Sequence, residues 1–437
     1  MKSKSALVIG AGVVGSTRLS SSSTVVNILA LWYDVTLLSK KFGKGDYSVT
    51  SEVAAAQWEF PPGICGRHRV VDFNLDNPKK WTMVSYNKYL ALSKNSSETG
   101  VFWRPLYVFL TEKMEETPEQ IQRNKGHVDY TNIQAFPQLH QTDCLINCSS
   151  SKIFQSRGPK QEVRATFSTY LLIPLPTLTL FSYIVNINFG SACHQSIDPT
   201  ALAPVVDCYT VHAPTIDTVK FLEWLYKQCQ AKGAKFVRGE VKGKLIGQIE
   251  DLKAKYNVNV VVNCTGLAAR VLADDKKVSP LRGYVLKIKN DGVLMPKLNF
   301  SIAFHHAIFL NPGRDLSNVH VYIIPRGDHS IWIGGSVEEH ETDLTGVDMS
   351  HEIPRKLLDN AKAFFPPLRA FGYEDVDQVI AGLRPAREDE IRNEIDPECP
   401  SLIHNYGHAG NGIYLSWGSA ADVAKLADEA IGIFSKL

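Results

Sequence analysis

The sequence has no organised cysteine pattern. Its eight cysteines, at positions 65, 144, 148, 193, 208, 229, 264 and 399, are scattered over 437 residues. None forms a CxxC pair and none sits beside histidines at zinc-ligand spacing. A disulfide scaffold and a zinc module are therefore excluded, reduced thiols are expected, and no metal is. Net charge is nearly absent as well. The 47 basic and 45 acidic residues leave +2, which gives no electrostatic ground for binding nucleic acid or an anionic membrane. The start, Met1 to Ser5, is short and polar, so no secretory signal is expected there. No internal repeat is apparent.

One stretch lacks charge altogether. Ala165 to Ile197 contains no Lys, Arg, Asp or Glu. Within it, Tyr170 to Phe189 approaches the length of a membrane span, about 20 apolar residues. Pro174 and Pro176 interrupt it where an apolar helix would have to continue, so no membrane span is expected. Its isolation from both neighbours marks 149–199 as an atypical insertion, with a gene-model artefact as the alternative.

What is present is the composition of a globular chain, 44% hydrophobic and 21% charged, long enough for one large or two ordinary domains. Ala6 to Gly10 is a short apolar run of the kind that forms a fully buried parallel strand, and Asp34 to Leu38 is a second. A crossover helix between them would complete a βαβ unit. Gly10-Ala11-Gly12-Val13-Val14-Gly15 follows the first strand directly. In that context Gly10 permits a tight turn, Gly12 lets the backbone approach a pyrophosphate, and Gly15 packs the helix close to the strand. The helix N-terminus then faces the phosphates. A dinucleotide site is predicted at 10–15.

Two details depart from that pattern. Ser16 to Thr24 contains a single apolar residue, Leu19, where an amphipathic helix is expected. The second strand ends in Ser39-Lys40-Lys41 rather than in an acid for the ribose hydroxyls. Either Ser39 and backbone hold the ribose or binding is weakened, and a lysine pair also suits a phosphorylated ribose.

Further along, Asn257 to Val262 is predicted as a strand running into the turn Asn263-Cys264-Thr265-Gly266. Val321–Pro325 and Ser330–Gly335 are predicted as antiparallel strands around Arg326-Gly327-Asp328. From Ala420 a helix is predicted, with Val423, Leu426, Ala427, Ala430, Ile431 and Phe434 on one face.

Taken in order, Ser51 to Glu59 (SEVAAAQWE), VVNCTG at 261–266, Arg282-Gly283, Val321–Pro325 (VYIIP), Gly382–Arg387 (GLRPAR) and Ile403–Gly412 (IHNYGHAGNG) resemble the D-amino-acid oxidase / D-aspartate oxidase family of flavoproteins. The wording SEVAAAQWEFPP is most similar to fungal members. The resemblance covers 6–15, 34–65 and 200–437 well, and 16–33 and 149–197 poorly.

The resemblance implies a mixed α/β (α+β) fold. A Rossmann-like FAD-binding domain would comprise 1–75, 200–280 and 385–437. A substrate domain on a large, mostly antiparallel sheet would comprise 76–148 and 281–384. It implies oxidation of D-amino acids to 2-oxo acids, ammonia and hydrogen peroxide, by hydride transfer from Cα to flavin N5. A D-aspartate oxidase is the alternative, and it would need a second basic group, with Arg314 and Arg326 near the site strand. A catalytically impaired homologue and a nicotinamide-dependent dehydrogenase are the others.

Carried over residue by residue, Arg384 and Tyr322 meet the substrate carboxylate and Gly410 accepts from the amine. No residue acts as an acid or base. For FAD the resemblance implies Gly10, Ala11, Gly12, Val13, Val14, Gly15, Ser39, Lys40, Ser51, Ala55, Ala56, Val241, Thr265, Arg384, Gly410, Gly412 and Ile413. A second tyrosine found in some members four positions before Tyr322 is Asn318 here, and Ala409 stands where glycine is common. Family members often dimerise, though nothing in the sequence marks an interface. Ser435-Lys436-Leu437 reads as a peroxisomal address recognised by an import receptor, and a peroxisomal matrix location is expected.

Overall fold

A computed structural model describes residues 4–10, 24–25, 28–40, 42, 50–58, 76–110, 185–188, 194–197, 207–305 and 319–434. Ala11–Gly15, Asn318, Arg314 and Ser435–Leu437 lie outside the described residues, as does most of 149–199.

The apolar runs form a six-stranded sheet. Its members are β1 (Ser5–Gly10), β2 (Asp34–Ser39), β7 (Lys235–Arg238), β8 (Val260–Cys264), β15 (Arg392–Asp396) and β16 (Cys399–Tyr406), in the order β15-β16-β8-β1-β2-β7. All pairs are parallel except β15 with β16. Helices cover both faces, so alternate residues of one strand enter different cores. Ala6 and Val8 pack with Val25 and Leu29 of the crossover and with Ala420, Val423, Ala427 and Ala430. Leu7 and Ile9 pack with Val241, Leu245, Ile249 and Leu252. This two-sided burial is why the central strands carry unbroken apolar runs, Ala6–Ile9 and Val260–Val262.

A second sheet carries β3 (Val101–Leu110), β6 (Asp207–Ile216), β9 (Val278–Lys289), β10 (Ser301–His305), β11 (Val319–Arg326), β12 (Ser330–Ser336), β13 (Glu338–Glu339) and β14 (Val376–Arg387). It is antiparallel except where β10 meets β3. Helix α5 (Glu352–Phe364) packs Leu357, Leu358, Ala361 and Phe364 onto one face, against Tyr284, Leu286, Ile288, Ile323, Ile331 and Ile333. The alternate positions Val285, Trp332, Ile380 and Tyr322 look the other way, and Val53 of α1 (Thr50–Val53) lies on them. The mixed α/β class expected from the resemblance is the class observed.

Several expectations are corrected. Residues 207–216, placed with the FAD-binding domain by the resemblance, pair antiparallel with β3 of the second sheet along its whole length, from Val101↔Ile216 to Leu110↔Asp207, and lead into α3 (Thr218–Ala231). The predicted strand at 257–262 begins instead at Val260, because Asn257 adopts a left-handed conformation (φ 52°) that ends α4 (Ile249–Tyr256). Asparagine tolerates that conformation better than other residues with a side chain. The C-terminal helix α6 spans Gly412–Phe434 and so starts eight residues before Ala420. Its glycines and serines hide the start from a search for apolar periodicity. Of the charge-free stretch, Val185–Asn188 (β4) and His194–Ile197 (β5) form an antiparallel pair. Among the described residues no helix is long and apolar enough to cross a membrane.

The glycine at 418 has a packing role. Helix α2 (Asp76–Leu92) crosses α6 so closely that a Cβ on Gly418 would fall 2.2 Å from the Trp81 Cα. Tyr89 donates to the Ile413 carbonyl at 2.7 Å in the same interface. Gly418→Val is therefore expected to lower stability by about 2 kcal/mol or more through overpacking. Urea unfolding of both proteins checks it, and equal midpoints would refute the contact.

Candidate active site

The C-terminal ends of the three central parallel strands lie side by side. Gly10 is in register with Ser39 on one flank and with Cys264 on the other. Chain order changes direction between β8 and β1, and such a switch point opens a crevice at the carboxyl ends of the strands. Ser39 and Thr265 are buried there, and Val241 is buried just beneath in the core on one face. Lys40 pairs with Glu240 at 3.1 Å. Lys40 thus has an acid partner across the sheet in the residue after Gly239.

Thr50–Val53 bridges from this edge to the second sheet. A Cβ on Gly382 would meet Val53 at 3.2 Å, so the glycine lets α1 lie close on the strand. Ser51, Ala55 and Ala56 are half-buried along that segment. Ala56 is held at φ 54° while its carbonyl accepts from Ile216.

Glycines shape the face of the second sheet opposite α5. The Arg384 guanidinium occupies the space above Gly283, where a Cβ would lie 2.2 Å from Nη1. The Tyr322 ring occupies the space above Gly334 and Gly335, with Cβ positions 2.3 and 2.8 Å away. Arg282-Gly283 is one of the motifs behind the resemblance. The pair Gly334-Gly335 was visible only as the end of an apolar strand, and its tandem glycines were the missed signal.

Arg384 is half-buried and donates from Nη1 to the Ser336 carbonyl at 2.9 Å. Among the described residues it has no carboxylate partner. Other arginines nearby are engaged. Arg282 makes a forked pair with Glu338 at 2.8 and 3.0 Å. Arg387 meets Asp275 at 2.7 Å. Arg326 lies over the Trp332 ring at 3.9 Å and donates to Thr218 Oγ1 and the Ala54 carbonyl. It is thereby tied to the framework and not available as a second basic group for a substrate.

The last loop closes the site. A backbone bridge joins Ala386 to His408, and Ala409 packs on Leu281, Val337 and Ala386. Arg384 and Gly410 each stand two residues from that bridge. Ala409 takes φ 49°, a conformation that favours glycine. Gly412 opens α6, and Ile413 is buried against Tyr89 and Trp417. A long helix thus points its positive end at this loop. The structure therefore brings Tyr322, Arg384 and the 408–413 loop to one region. It places Gly10, Ser39, Val241 and Thr265 at the strand ends of the first sheet.

A family model described as DAO: FAD dependent oxidoreductase matches residues 188–426. The chain belongs to this family of FAD dependent oxidoreductases. FAD is accordingly its cofactor, which replaces the nicotinamide alternative left open by the glycine motif. D-aspartate oxidase 1 of Caenorhabditis elegans is 30% identical over 219 residues, 48% of this chain and 56% of that protein. A D-amino-acid oxidase of Rubrobacter xylanophilus is 32% identical over 225 residues, covering 51% and 60%. The matched part thus spans less than two thirds of these relatives. The D-aspartate oxidase of Homo sapiens is 25% identical over 430 residues, covering 97% and 94%. Among solved structures, the glycine oxidase of Geobacillus kaustophilus has a TM-score of 0.60 at 15% identity, over 97% of this chain and 94% of that one. The L-proline dehydrogenase of P. horikoshii also scores 0.60 at 15%, over 98% and 94%. At these identities the likeness is one of fold.

The described residues fit a flavin dinucleotide. A glycine and two buried hydroxyl-bearing residues meet at the strand ends. In the adjoining loop the buried His408 has an Nε2 with no hydrogen-bond partner among the described residues. Burial pulls the His408 pKa down to about 4. Above pH of about 6.5 the imidazole is neutral in both folded and unfolded chains. As pH falls from about 6.5 towards 4, the unfolded chain takes up a proton that the folded one refuses, costing about 3 kcal/mol in total. His408→Gln is expected to flatten the fall in unfolding free energy over that window. Identical pH profiles in the two proteins would show that His408 titrates normally.

Proposed function

We propose that the protein oxidises D-amino acids at Cα, giving 2-oxo acids, ammonia and hydrogen peroxide. The observation that carries this reading is Arg384. It is a half-buried guanidinium on a glycine-lined face, held by one backbone carbonyl and facing no acid among the described residues. Its remaining N–H groups can make two parallel charge-assisted bonds to a carboxylate. Tyr322 shares that face and brings a hydroxyl to the same carboxylate. Gly410 has a carbonyl that can accept from the substrate amine. A carboxylate and an amine gripped at separate points leave the Cα–H bond in a defined direction, and that orientation is the protein's main contribution. Gly10 to Gly15, Ser39, Lys40, Ser51, Ala55, Ala56, Val241, Thr265, Gly410, Gly412 and Ile413 would hold FAD, which supplies the two-electron acceptor and passes the electrons to oxygen.

The substrate side chain is read from the row beyond Tyr322. In register with it come Ala303 on β10 and then Val108 on β3. Both pack in an apolar cluster with Trp58 and Tyr86. That row favours a neutral, apolar side chain over a second carboxylate. D-aspartate oxidases among the relatives keep the acidic reading as the alternative to be tested.

Anaerobic addition of D-alanine to the FAD-loaded protein is expected to bleach the oxidised flavin bands, whereas L-alanine leaves them intact and D-aspartate acts weakly. Bleaching by D-aspartate alone would assign the acidic class, and no bleaching by any D-amino acid would refute the reading. Arg384→Ala is expected to raise KM for D-alanine by at least about 100-fold, the scale of removing one partner of a buried charge pair. An unchanged KM would remove Arg384 from the site.

A further inference from the structure

Behind the strand ends of the first sheet runs a line of buried polar groups that the reaction above does not use. Thr265 donates to Asn263 Oδ1 twice, from its backbone N–H at 3.2 Å and its hydroxyl at 2.7 Å. With that oxygen accepting both bonds, the other end of the amide is the NH2 group. It lies 3.1 Å from His404 Nδ1. A donor facing Nδ1 requires that nitrogen to be bare, so the neutral ring carries its proton on Nε2. Nε2 in turn donates to Asp396 Oδ2 at 2.9 Å. Every bond from Asp396 to Thr265 therefore has one direction. Asn263, Thr265 and His404 are all buried, so water does not compete for these groups.

The imidazole is held neutral by its burial, against the pull of Asp396. The charged groups that act on it, Asp396, Arg392 and Glu394, all stand on β15. On its own strand Tyr406 packs edge-on at 5.5 Å. From β8 it meets the uncharged Asn263.

We propose that His404, oriented by Asp396, is a positioning residue for the cofactor. It locks the Asn263 amide and thereby the Thr265 turn, which ends β8 beside Gly10. The proposal rests on the reading that this turn borders FAD. A second proton on Nδ1, or loss of that acceptor, would make the Asn263 amide turn over. Its NH2 group would then face the two Thr265 donors, and the turn would open.

The test is a titration of apoprotein with FAD, followed by flavin fluorescence, with apoprotein thermal melts alongside. His404→Leu is expected to weaken FAD binding by roughly tenfold or more, the scale of leaving a buried donor unpaired. His404→Asn places an oxygen close to the Nδ1 position and is expected to restore most of that loss. FAD affinity of the unaltered protein is expected to fall as pH drops and His404 becomes protonated, a dependence that His404→Asn reduces. Thr265→Ala separates the two layers. If it leaves FAD affinity unchanged, the turn does not border the cofactor, and the reading beneath the proposal fails. If Thr265→Ala weakens binding and a folded His404→Leu does not, the positioning role is overturned. Should His404→Leu not fold, nitrogen NMR of the imidazole in the unaltered protein decides: an Nε2–H tautomer is expected, and a proton on Nδ1 overturns the proposal.

Discussion

The bridge between Ala386 and His408 is the constraint on which the site depends. On one side it ends β14, whose ladder with β9 runs from Val376 to Arg387. On the other it begins the loop that leads into α6. The two sheets have different cores and opposite strand logic, one parallel and covered on both faces, the other mostly antiparallel and covered by α5 on one. Without a fixed contact between them, a group on the second sheet would have no defined position relative to the strand ends of the first. The bridge supplies that contact two residues from Arg384 and two from Gly410. Ala409 tightens it by packing on Leu281, Val337 and Ala386, at the cost of a backbone conformation that glycine would adopt more easily.

Charge is distributed to the same end. Arginine is often recruited to frameworks because its fork matches carboxylates, and Arg282, Arg387 and Arg392 are used that way. Arg326 is spent on an aromatic face, a hydroxyl and a backbone carbonyl. Among the described residues Arg384 differs in having a single carbonyl to answer it. A forked cation without an acid is costly to keep half out of water, and the glycine surface beneath it is what makes room for it. The same surface holds Tyr322, so the two groups offered to a carboxylate depend on side chains being absent at Gly283, Gly334 and Gly335.

Much of this was legible from residues in order. The parallel strands at 5–10 and 34–39 announce themselves because burial on both faces favours unbroken apolar runs, Ala6–Ile9 in one and Leu37–Leu38 beside Val35 in the other. The hairpin around Arg326-Gly327-Asp328 is a local event and was equally plain. The placement of 207–216 was not, because a strand's partner is chosen by residues a hundred positions away and leaves no mark in its own pattern. Nor was the start of α6, where Gly412, Ser416 and Gly418 sit for reasons of close packing and not of propensity. Lys40 shows the same limit. Its partner Glu240 is two hundred residues distant, so the lysine could be noticed in the sequence but its ion pair could not. His404 and His408 both stand in the IHNYGHAGNG motif. Their difference, one bonded at both ring nitrogens and one with an unanswered nitrogen, exists only in three dimensions.

The order of strands in the first sheet has a consequence for biosynthesis. β1 is made before β8, and β8 is paired with β16, which ends at Tyr406. The half of the sheet beyond β8 cannot close until residues 399–406 have been made, and α6, which covers one face, follows them. Long-range pairing of this kind is slow and leaves apolar strands unshielded meanwhile. During synthesis β1 and β2 therefore wait, exposed, for partners still untranslated. A chain that stops before residue 399 lacks β16 and the loop that follows it.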